Sequence, residues 1–218
     1  MFLHKHPYPP FIPSKATKLI VGTLPPPRFS IGNLKPDDVN FCYGSRDGQL
    51  WKILDEIFNL NLKYENTQEA IFQRKTFLET ENIGICDIVE SAEREKIDAS
   101  DLGMQNTVLR DLIGYLKQYP NVNTLLFTGG NSKNGPEYFF RKHLKDHNLK
   151  FELVNNDIPR IHQFRLNERT IRTVSLTAPS GSANRAVGSM PLYQQLKSKN
   201  PEFTTLDFRV MQYSSFFK

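Results

Sequence analysis

The chain has 218 residues, of which 39% are hydrophobic and 23% are charged, so it has enough apolar side chains for a core of its own and is not an intrinsically disordered protein. Its formal net charge is +5, unevenly placed: residues 1–110 hold 13 Lys or Arg and 15 Asp or Glu, whereas residues 111–218 hold 15 and 8. The basic C-terminal half favours a polyanionic partner, and an ordinary solvated surface is the alternative.

Two cysteines, Cys42 and Cys86, are too few for a disulfide scaffold, and their spacing does not fit a zinc or iron–sulfur site. No segment has the composition of a signal peptide or approaches the roughly 20 apolar residues of a membrane span. We therefore expect a soluble cytoplasmic protein without metal, cofactor or membrane partner. Residues 1–16 are interpreted as an extended N-terminal arm, in which His4 and His6 pack on the surface, since no carboxylate or Cys accompanies them.

Short apolar runs alternate along the chain with segments of helical periodicity. The run TKLIVGT at residues 17–23 predicts a buried strand. This strand ends before Pro25-Pro26-Pro27, because a triple proline cannot continue a strand. In chain order, the predicted elements are a strand over 17–23, helices over 49–58 and 67–79, a strand over 83–89, a helix over 108–116, a strand over 124–128, a helix over 137–147, strands over 150–154 and 170–176, and a helix over 191–197.

This alternation predicts an α/β sandwich around a mostly parallel sheet, in a single domain that spans residues 1–218. In such sheets, ligands bind beyond the carboxyl ends of the strands, so the important loops begin near Gly22, Cys86, Thr128 and Leu176. Small and rigid residues converge there with a few polar ones. Glycine and serine let a nucleic-acid backbone approach closely, and exposed backbone amides bind phosphate.

Five segments carry a resemblance to a known family. They are LIVGTLPP at residues 19–26, the aromatic segment at 43–51, GICDIV at 84–89, LLFTGG at 125–130 and APSGSANR at 178–185. In this order they resemble the uracil-DNA glycosylase superfamily, particularly its hypoxanthine-DNA glycosylase branch. The resemblance implies a three-layer α/β/α sandwich with a central, mostly parallel four-stranded sheet. It also implies a metal-free enzyme of base-excision repair that hydrolyses the N-glycosidic bond of a deaminated base, hypoxanthine or uracil, in DNA.

The resemblance also suggests roles for residues in the first loops. Such an enzyme extrudes its nucleotide from the base stack and reads the base against an aromatic ring. Phe41 and Tyr43 are the stacking candidates, with Phe29 as a second choice, and Asp87 is the candidate reader of the polar edge of the base. Gly22 and Thr23 would also lie against the base. Asp47 is our candidate for the catalytic carboxylate that orients the attacking water.

Each of these residues has an ordinary structural interpretation as well. Phe41 and Tyr43 fit core aromatics, and Asp87 fits a turn or cap carboxylate after a strand. Asp47 precedes Gly48, and Asp-Gly is a common turn pair. Both interpretations stay open at this point.

The loop after the last predicted strand is the candidate contact with the DNA backbone. In the resembling family this Ser/Pro loop compresses the phosphate backbone, and a simple strand-to-helix connection is the alternative. A basic segment upstream, with Arg160, His162, Arg165, Arg169 and Arg172, could extend the positive surface. The candidate backbone-contacting residues are Pro179, Ser180, Gly181, Ser182, Asn184 and Arg185.

The sequence departs from the family at its usual catalytic positions. The best-known members place an Asp and a Tyr-His pair in the first loop and a His before Pro-Ser in the last loop. Here the first loop reads Leu24-Pro25-Pro26-Pro27, and Thr177-Ala178 precedes Pro179. The hypoxanthine branch would place an Asn near Gly48, so either Asp47 compensates or the activity is lost. His162 could supply an imidazole, and an ordinary surface or core histidine is the alternative.

Three hypotheses therefore remain open. The first is a monomeric DNA glycosylase whose partner is DNA containing a damaged or deaminated base. The second is a catalytically weakened module that binds nucleic acid or a damaged base. The third is an α/β enzyme that acts on a small nucleoside or a phosphorylated metabolite through the same glycine-rich loops.

Overall fold

A six-stranded mixed sheet forms the centre of the computed structural model, which describes residues 1–97 and 100–218. The strands are β1 (Phe2–Lys5), β2 (Lys18–Val21), β3 (Ile83–Ile85), β4 (Val89–Arg94), β5 (Gln105–Leu109), β6 (Thr124–Phe127), β7 (Glu152–Asn155), β8 (Arg160–Leu166) and β9 (Arg169–Ser175). The helices are α1 (Pro27–Ser30), α2 (Leu50–Phe58), α3 (Gln68–Thr80), α4 (Leu112–Gln118), α5 (Pro136–Asp146), α6 (Asn184–Gly188), α7 (Pro191–Lys199) and α8 (Thr205–Phe217).

The strand order of the central sheet is β3-β2-β6-β9-β8-β7. Strands β3, β2, β6 and β9 pair in parallel, and β8 and β7 add two antiparallel strands at one edge. The α/β prediction is confirmed, whereas the prediction of a four-stranded sheet is wrong. The segment of β8 looked like a basic surface because its arginines obscure the buried Ile161, Phe164 and Leu166.

Helices cover both faces of this sheet. Side chains alternate along a strand, so Leu19 and Val21 of β2 join one hydrophobic cluster, while Ile20 joins the other. Helices α4 and α5 pack into the first cluster, and α2, α3 and α8 pack into the second. The result is a three-layer arrangement in which the carboxyl ends of the parallel strands are left for the loops.

A second, three-stranded antiparallel sheet has the order β1-β4-β5. It changes two predicted elements. The strand predicted over 83–89 ends at Ile85, and Val89 starts β4 in the small sheet; the helix predicted over 108–116 begins only at Leu112, because residues 105–109 form β5. The N-terminal segment joins this sheet through β1, with Phe2 opposite Arg94.

The final helix α8 was absent from the predicted elements. Thr204 and Asp207 form a capping box at its start: the Thr204 hydroxyl accepts the Asp207 N–H, and the Asp207 carboxylate accepts the Thr204 N–H. The helix buries polar as well as apolar side chains, including Arg209 and Gln212, so its sequence lacks a clean apolar stripe. Across the described part of the chain, no helix combines the length and hydrophobicity needed to traverse a bilayer.

We expect Thr204→Ala to lower the free energy of unfolding by about 1 kcal/mol, because the substitution removes the side-chain acceptor that caps α8. Urea denaturation followed by circular dichroism measures the change. Ser215→Ala, at an exposed position of the same helix, is the matched control and should change stability by less than about 0.5 kcal/mol. Equal effects of the two substitutions would contradict a stabilising cap.

Candidate functional site

A cavity of about 500 Å³ opens beyond the carboxyl ends of β6 and β9. Two of the four loops expected to carry chemistry, those that begin near Thr128 and Leu176, contribute to its walls. Its walls come from the loop after β6, the start of α5, the end of β9, helix α6, the turn before β8 and the turn before β5. The lining residues include Asp101, Thr128, Gly129, Gly130, Pro136, Arg160, Ser175, Thr177, Ala178 and Val187.

A buried carboxylate organises the floor beside this cavity. Asp87 is 5% exposed, and its Oδ1 accepts hydrogen bonds from the Gly22 N–H and the Tyr43 hydroxyl, both at 2.8 Å. Burial and the neighbouring Asp87 carboxylate raise the pKa of Tyr43, so the phenol stays protonated and donates. Tyr43 Oη also lies 3.1 Å from the hydroxyl of Thr128, which lines the cavity. The structure thus brings together Gly22, Tyr43 and Asp87, three of the predicted base-binding residues.

The N-terminal arm completes this cluster. His6 Nε2 lies 2.9 Å from Asp87 Oδ2, and His6 Nδ1 accepts the Tyr8 N–H at 3.2 Å. Because Nδ1 is an acceptor, Nε2 carries the proton and donates to the carboxylate. The neighbouring His4 is fully buried and accepts a hydrogen bond from Arg94. Both histidines are therefore engaged by protein groups rather than lying on the surface as expected.

Gly22 is the position at which this cluster has no room for a side chain. A Cβ atom there would overlap with Tyr43 Oη and would lie 2.9 Å from both Asp87 Oδ1 and Thr128 Oγ1. The absence of a side chain therefore lets β2 end directly against the carboxylate and the phenol. This is a spatial reason for glycine, independent of backbone conformation.

Thr23, the next residue of the first loop, donates a hydrogen bond from its hydroxyl to Asp101 Oδ1 at 2.8 Å. Burial raises the pKa of Asp101 to about 6, against the opposing effect of that hydrogen bond. The turn that carries Asp101 is held by Asn134, whose side-chain amide donates to the carbonyls of Asp101 and Met104 at 2.9 and 3.0 Å. Asp101 is thus a carboxylate in the cavity wall whose pKa burial raises above the usual range of aspartates.

Asp47 lies elsewhere. Its side chain is 66% exposed, it contacts Arg28 at 3.4 Å, and it does not line the cavity. Arg28 in turn forms a bidentate pair with the buried Asp38, at 2.7 and 2.8 Å. The catalytic role of Asp47 stays a prediction, and the geometry places this carboxylate on the outer side of the loop.

The loop of Asp47 nevertheless touches the last loop. Gly48 forms a bridge with Ser180, and the Gln49 N–H donates to the Pro179 carbonyl at 2.9 Å. Two segments that are distant in sequence thereby form one rim. Gly181, Ser182 and Arg185 are exposed along it.

Helix α8 holds this last loop in place. The fully buried Arg209 donates to the carbonyls of Ala178 and Ser180, at 2.8 and 3.1 Å, and to Asn184 Oδ1 at 2.9 Å. Asn184 is thus a support of the loop as well as a candidate DNA contact. On the same helix, Tyr213 donates to the Thr177 carbonyl at 2.8 Å. The conformation of the predicted phosphate-contacting loop depends on a helix far along the chain.

The aromatic candidates separate into two groups. Phe41 is 6% exposed and packs at 6.2 Å from the buried Trp51, and Phe29 is 4% exposed, so both lie in the core. Tyr43 is half-buried, has a φ of 57° and reaches the polar cluster. Of the predicted stacking residues, Tyr43 alone has a polar atom next to the cavity wall.

The basic segment predicted from the sequence forms the hairpin of β8 and β9, and its arginines do not lie together at the cavity. Arg160 pairs with Ser175 at the cavity edge, whereas the turn between β8 and β9 brings Leu166 opposite Arg169. Six residues of strand separate the two ends by about 20 Å. Arg169 donates to the carbonyls of Leu116, Pro120 and Val122, which is a structural role.

Arg160 belongs to a buried ionic network beside the cavity. Glu137, at 0% exposure, accepts from Ser175 at 2.6 Å, from Arg141 at 2.6 and 2.9 Å, and from Arg160 at 3.2 Å. Burial alone would raise the pKa of Glu137, but these donors lower it overall. His162 contacts Arg141 at 2.8 Å and is 3% exposed, and burial lowers its pKa. His162 therefore contacts the network through Arg141 and does not line the cavity.

No family model and no curated protein matches the chain. The solution NMR structure of a protein described as a "putative Uracil DNA glycosylase" from Methanosarcina acetivorans matches with a TM-score of 0.58. The two chains share one fold. The match covers 99% of this chain and 97% of that one at 15% sequence identity, so it establishes the α/β architecture and not the chemistry.

We expect Gly22→Ala to lower the free energy of unfolding by about 1–3 kcal/mol, because the new methyl group displaces the Tyr43 hydroxyl from Asp87. Chemical denaturation measures the loss. In a Tyr43→Phe background the cost of Gly22→Ala should shrink, since the hydroxyl that overlaps is gone. Gly188→Ala, where a Cβ meets no atom within 4 Å, is the control. An equal cost of Gly22→Ala in both backgrounds would contradict the contact.

Proposed function

We propose that the protein is a DNA glycosylase that removes a deaminated base, hypoxanthine or uracil, by hydrolysis of its N-glycosidic bond. The observation that carries the proposal is the meeting of three strand-end loops beside one cavity: Gly22, Asp87 and Thr128 meet through Tyr43, and Thr128 and Asp101 line the cavity. Residues that are distant in sequence and share no element are brought to the edge of the sheet at which α/β proteins bind ligands.

The size and lining of the cavity support a base-sized ligand. Its volume of about 500 Å³ lies within the range of small-molecule sites, which is roughly 300–1,000 Å³. Its lining combines apolar groups with a few polar ones, which suits a flat heterocycle whose edge is read by hydrogen bonds. The exposed rim formed by Gly181, Ser182 and Arg185 lies beside it, where the backbone of an extruded nucleotide would pass.

The proposed chemistry requires a group that orients water. When the N-glycosidic bond breaks, its electron pair leaves with the base as an anion and the sugar becomes an oxocarbenium-like cation. Water then adds to C1′, and the proton that it loses neutralises the base anion. A carboxylate favours the cation and accepts a hydrogen bond from the water. Asp101 and Asp47 are the two candidates, and the position of Asp101 in the cavity wall favours Asp101 for this role.

Asp87 takes a different part in this proposal. It is not a wall of the cavity, and its Oδ1 already accepts two hydrogen bonds. Asp87 therefore acts as a positioning residue that fixes Tyr43 and the end of β2, and its direct contact with the base stays a prediction. Arg160, anchored by Glu137, supplies a positive group in the cavity wall.

The decisive test uses labelled duplexes that each contain one uracil, hypoxanthine or xanthine, followed by alkaline cleavage of abasic sites. We expect strand scission of at least one of these duplexes and none of an undamaged duplex. Asp101→Asn, which keeps the size and the Thr23 contact, should lower the rate by about a hundredfold or more, and Asp47→Ala by only a few fold. Scission that survives in Asp101→Asn and vanishes in Asp47→Ala would transfer the role to Asp47.

Two other results would replace the proposal. Binding of a damaged duplex without scission would identify a recognition module that has lost catalysis. Neither binding nor scission, together with hydrolysis or phosphorolysis of free inosine or uridine, would identify an enzyme of small nucleosides.

The pH dependence gives a further prediction. The carboxylate form of Asp101 is the one that can orient water, and the pKa of Asp101 is about 6. The rate of base release should therefore fall as the pH is lowered through about 6 and level off above about 7. Single-turnover rates between pH 5 and 8 measure the profile. In Asp101→Asn the inflection should disappear, and an unchanged inflection would assign it to another group.

A further inference from the structure

A cluster of three metal-ligand side chains lies away from the cavity, at the junction of α4 and α5. Asp111 is the N-cap residue of α4, His143 is in the last turn of α5, and His147 follows the end of that helix. The two histidines are four positions apart, so they lie on the same side of the helix axis. The centroids of the two imidazole rings are 4.7 Å apart.

We propose that Asp111, His143 and His147 bind a divalent transition-metal ion, with zinc as the best-suited ion. One donor atom from each of the three lies within 4.8 Å of the other two. His143 Nε2 is 3.4 Å from Asp111 Oδ1, and His147 Nε2 is 3.7 Å from the same oxygen. Ligands of a tetrahedral zinc ion with bonds of about 2.0–2.1 Å are separated by about 3.4 Å, so the cluster needs little rearrangement.

The donor set selects the type of ion. Two imidazole nitrogens and one carboxylate oxygen suit zinc and other late divalent transition metals, whereas magnesium and calcium prefer oxygen ligands alone. His143 is buried, while Asp111 and His147 are exposed, so a fourth position faces solvent and is open to water. Three protein ligands and one water complete a tetrahedron.

One hydrogen bond orients the Asp111 carboxylate for metal binding, and another, weaker one occupies His143 Nε2 and would compete with the metal ion. Asp111 Oδ1 accepts the Gly114 N–H at 2.9 Å, which fixes the orientation of the carboxylate and leaves the oxygen a second lone pair. His143 Nε2 accepts the Ile113 N–H at a long 3.3 Å. A metal ion would replace that hydrogen bond, so we expect an affinity in the micromolar range rather than that of a closed structural site.

The charged side chains around the cluster are mostly positive, so the three ligands and not a general negative potential would hold the ion. Lys142 and Lys145 line the recess next to His143, together with one carboxylate, Asp146. These ammonium groups would repel a diffuse cation atmosphere. Coordination bonds at the three donors are therefore needed to hold the ion.

The position of the site points to a role in stability. Pro136, at the start of α5, lines the cavity, whereas His147 follows the opposite end of a helix of 11 residues, about 16 Å long. A bound ion would join the end of α5 to the start of α4, two helices that pack on the same face of the sheet. The site is thus independent of the proposed glycosylase chemistry.

Isothermal titration of zinc chloride into the full, tag-free and EDTA-treated chain tests the proposal. We expect one ion per chain with a micromolar dissociation constant and a higher melting temperature at saturating zinc. His147→Ala and Asp111→Asn should each weaken binding by at least about tenfold. Asparagine caps a helix as well as aspartate does, so Asp111→Asn keeps α4 capped while it removes the anionic ligand.

Asp146→Asn is the matched control, because it removes a carboxylate from the same end of α5 that is outside the cluster. It should bind zinc as the unaltered chain does. The proposal is overturned if the unaltered chain fails to bind zinc at about 100 µM, or if His147→Ala and Asp111→Asn bind it as tightly as Asp146→Asn. Cobalt substitution adds a spectroscopic readout: intense visible bands indicate the tetrahedral site, and weak octahedral bands contradict it.

Discussion

The buried carboxylate of Asp87 is the interaction on which the candidate site depends. A carboxylate that is 5% exposed is costly to bury unless donors surround it, and here a backbone amide, a phenol and an imidazole do so. Each donor comes from a different segment: Gly22 follows β2, Tyr43 lies before α2, and His6 follows β1. The Asp87 carboxylate thereby holds three segments of the chain together at the carboxyl ends of the parallel strands. Tyr43 connects this cluster to the cavity wall through its contact with the Thr128 hydroxyl.

Local patterns in the sequence were sufficient for the parallel strands and the regular helices. The apolar runs of β2 and β6 are unbroken, β9 is rich in β-branched residues, and α2 places its apolar residues at helical spacing. Of the two antiparallel strands of the central sheet, β7 was predicted, whereas β8 was missed because its sequence mixes charged, polar and apolar residues. Strand β8 alternates arginine and histidine with apolar residues, and its buried His162 owes its place to Arg141 and Phe151, neighbours that no local window contains.

The site was predictable to the extent that strand ends determine it. Gly22 and Asp87 both follow parallel strands, and strand ends of a parallel sheet meet at one edge, so their contact follows from topology. His6, Asp101 and Arg209 could not be found in this way, because each reaches the site from outside the parallel core. Arg209 in particular looks like an ordinary helical arginine, and only the three-dimensional structure shows that it holds the carbonyls of Ala178 and Ser180.

The small sheet explains how a carboxylate and an imidazole reach the site although the loop after β2 supplies neither. That loop is rigid and apolar here, from Leu24 to Pro27, and offers no carboxylate or imidazole of its own. The sheet of β1, β4 and β5 supplies both kinds of group from the side: His6 enters after β1, and Asp101 enters between β4 and β5. Thr23 then ties the loop to Asp101. In the proposed mechanism, the chemistry therefore depends on an accessory sheet whose first strand, β1, precedes its partner β4 by more than 80 residues, with Phe2 opposite Arg94.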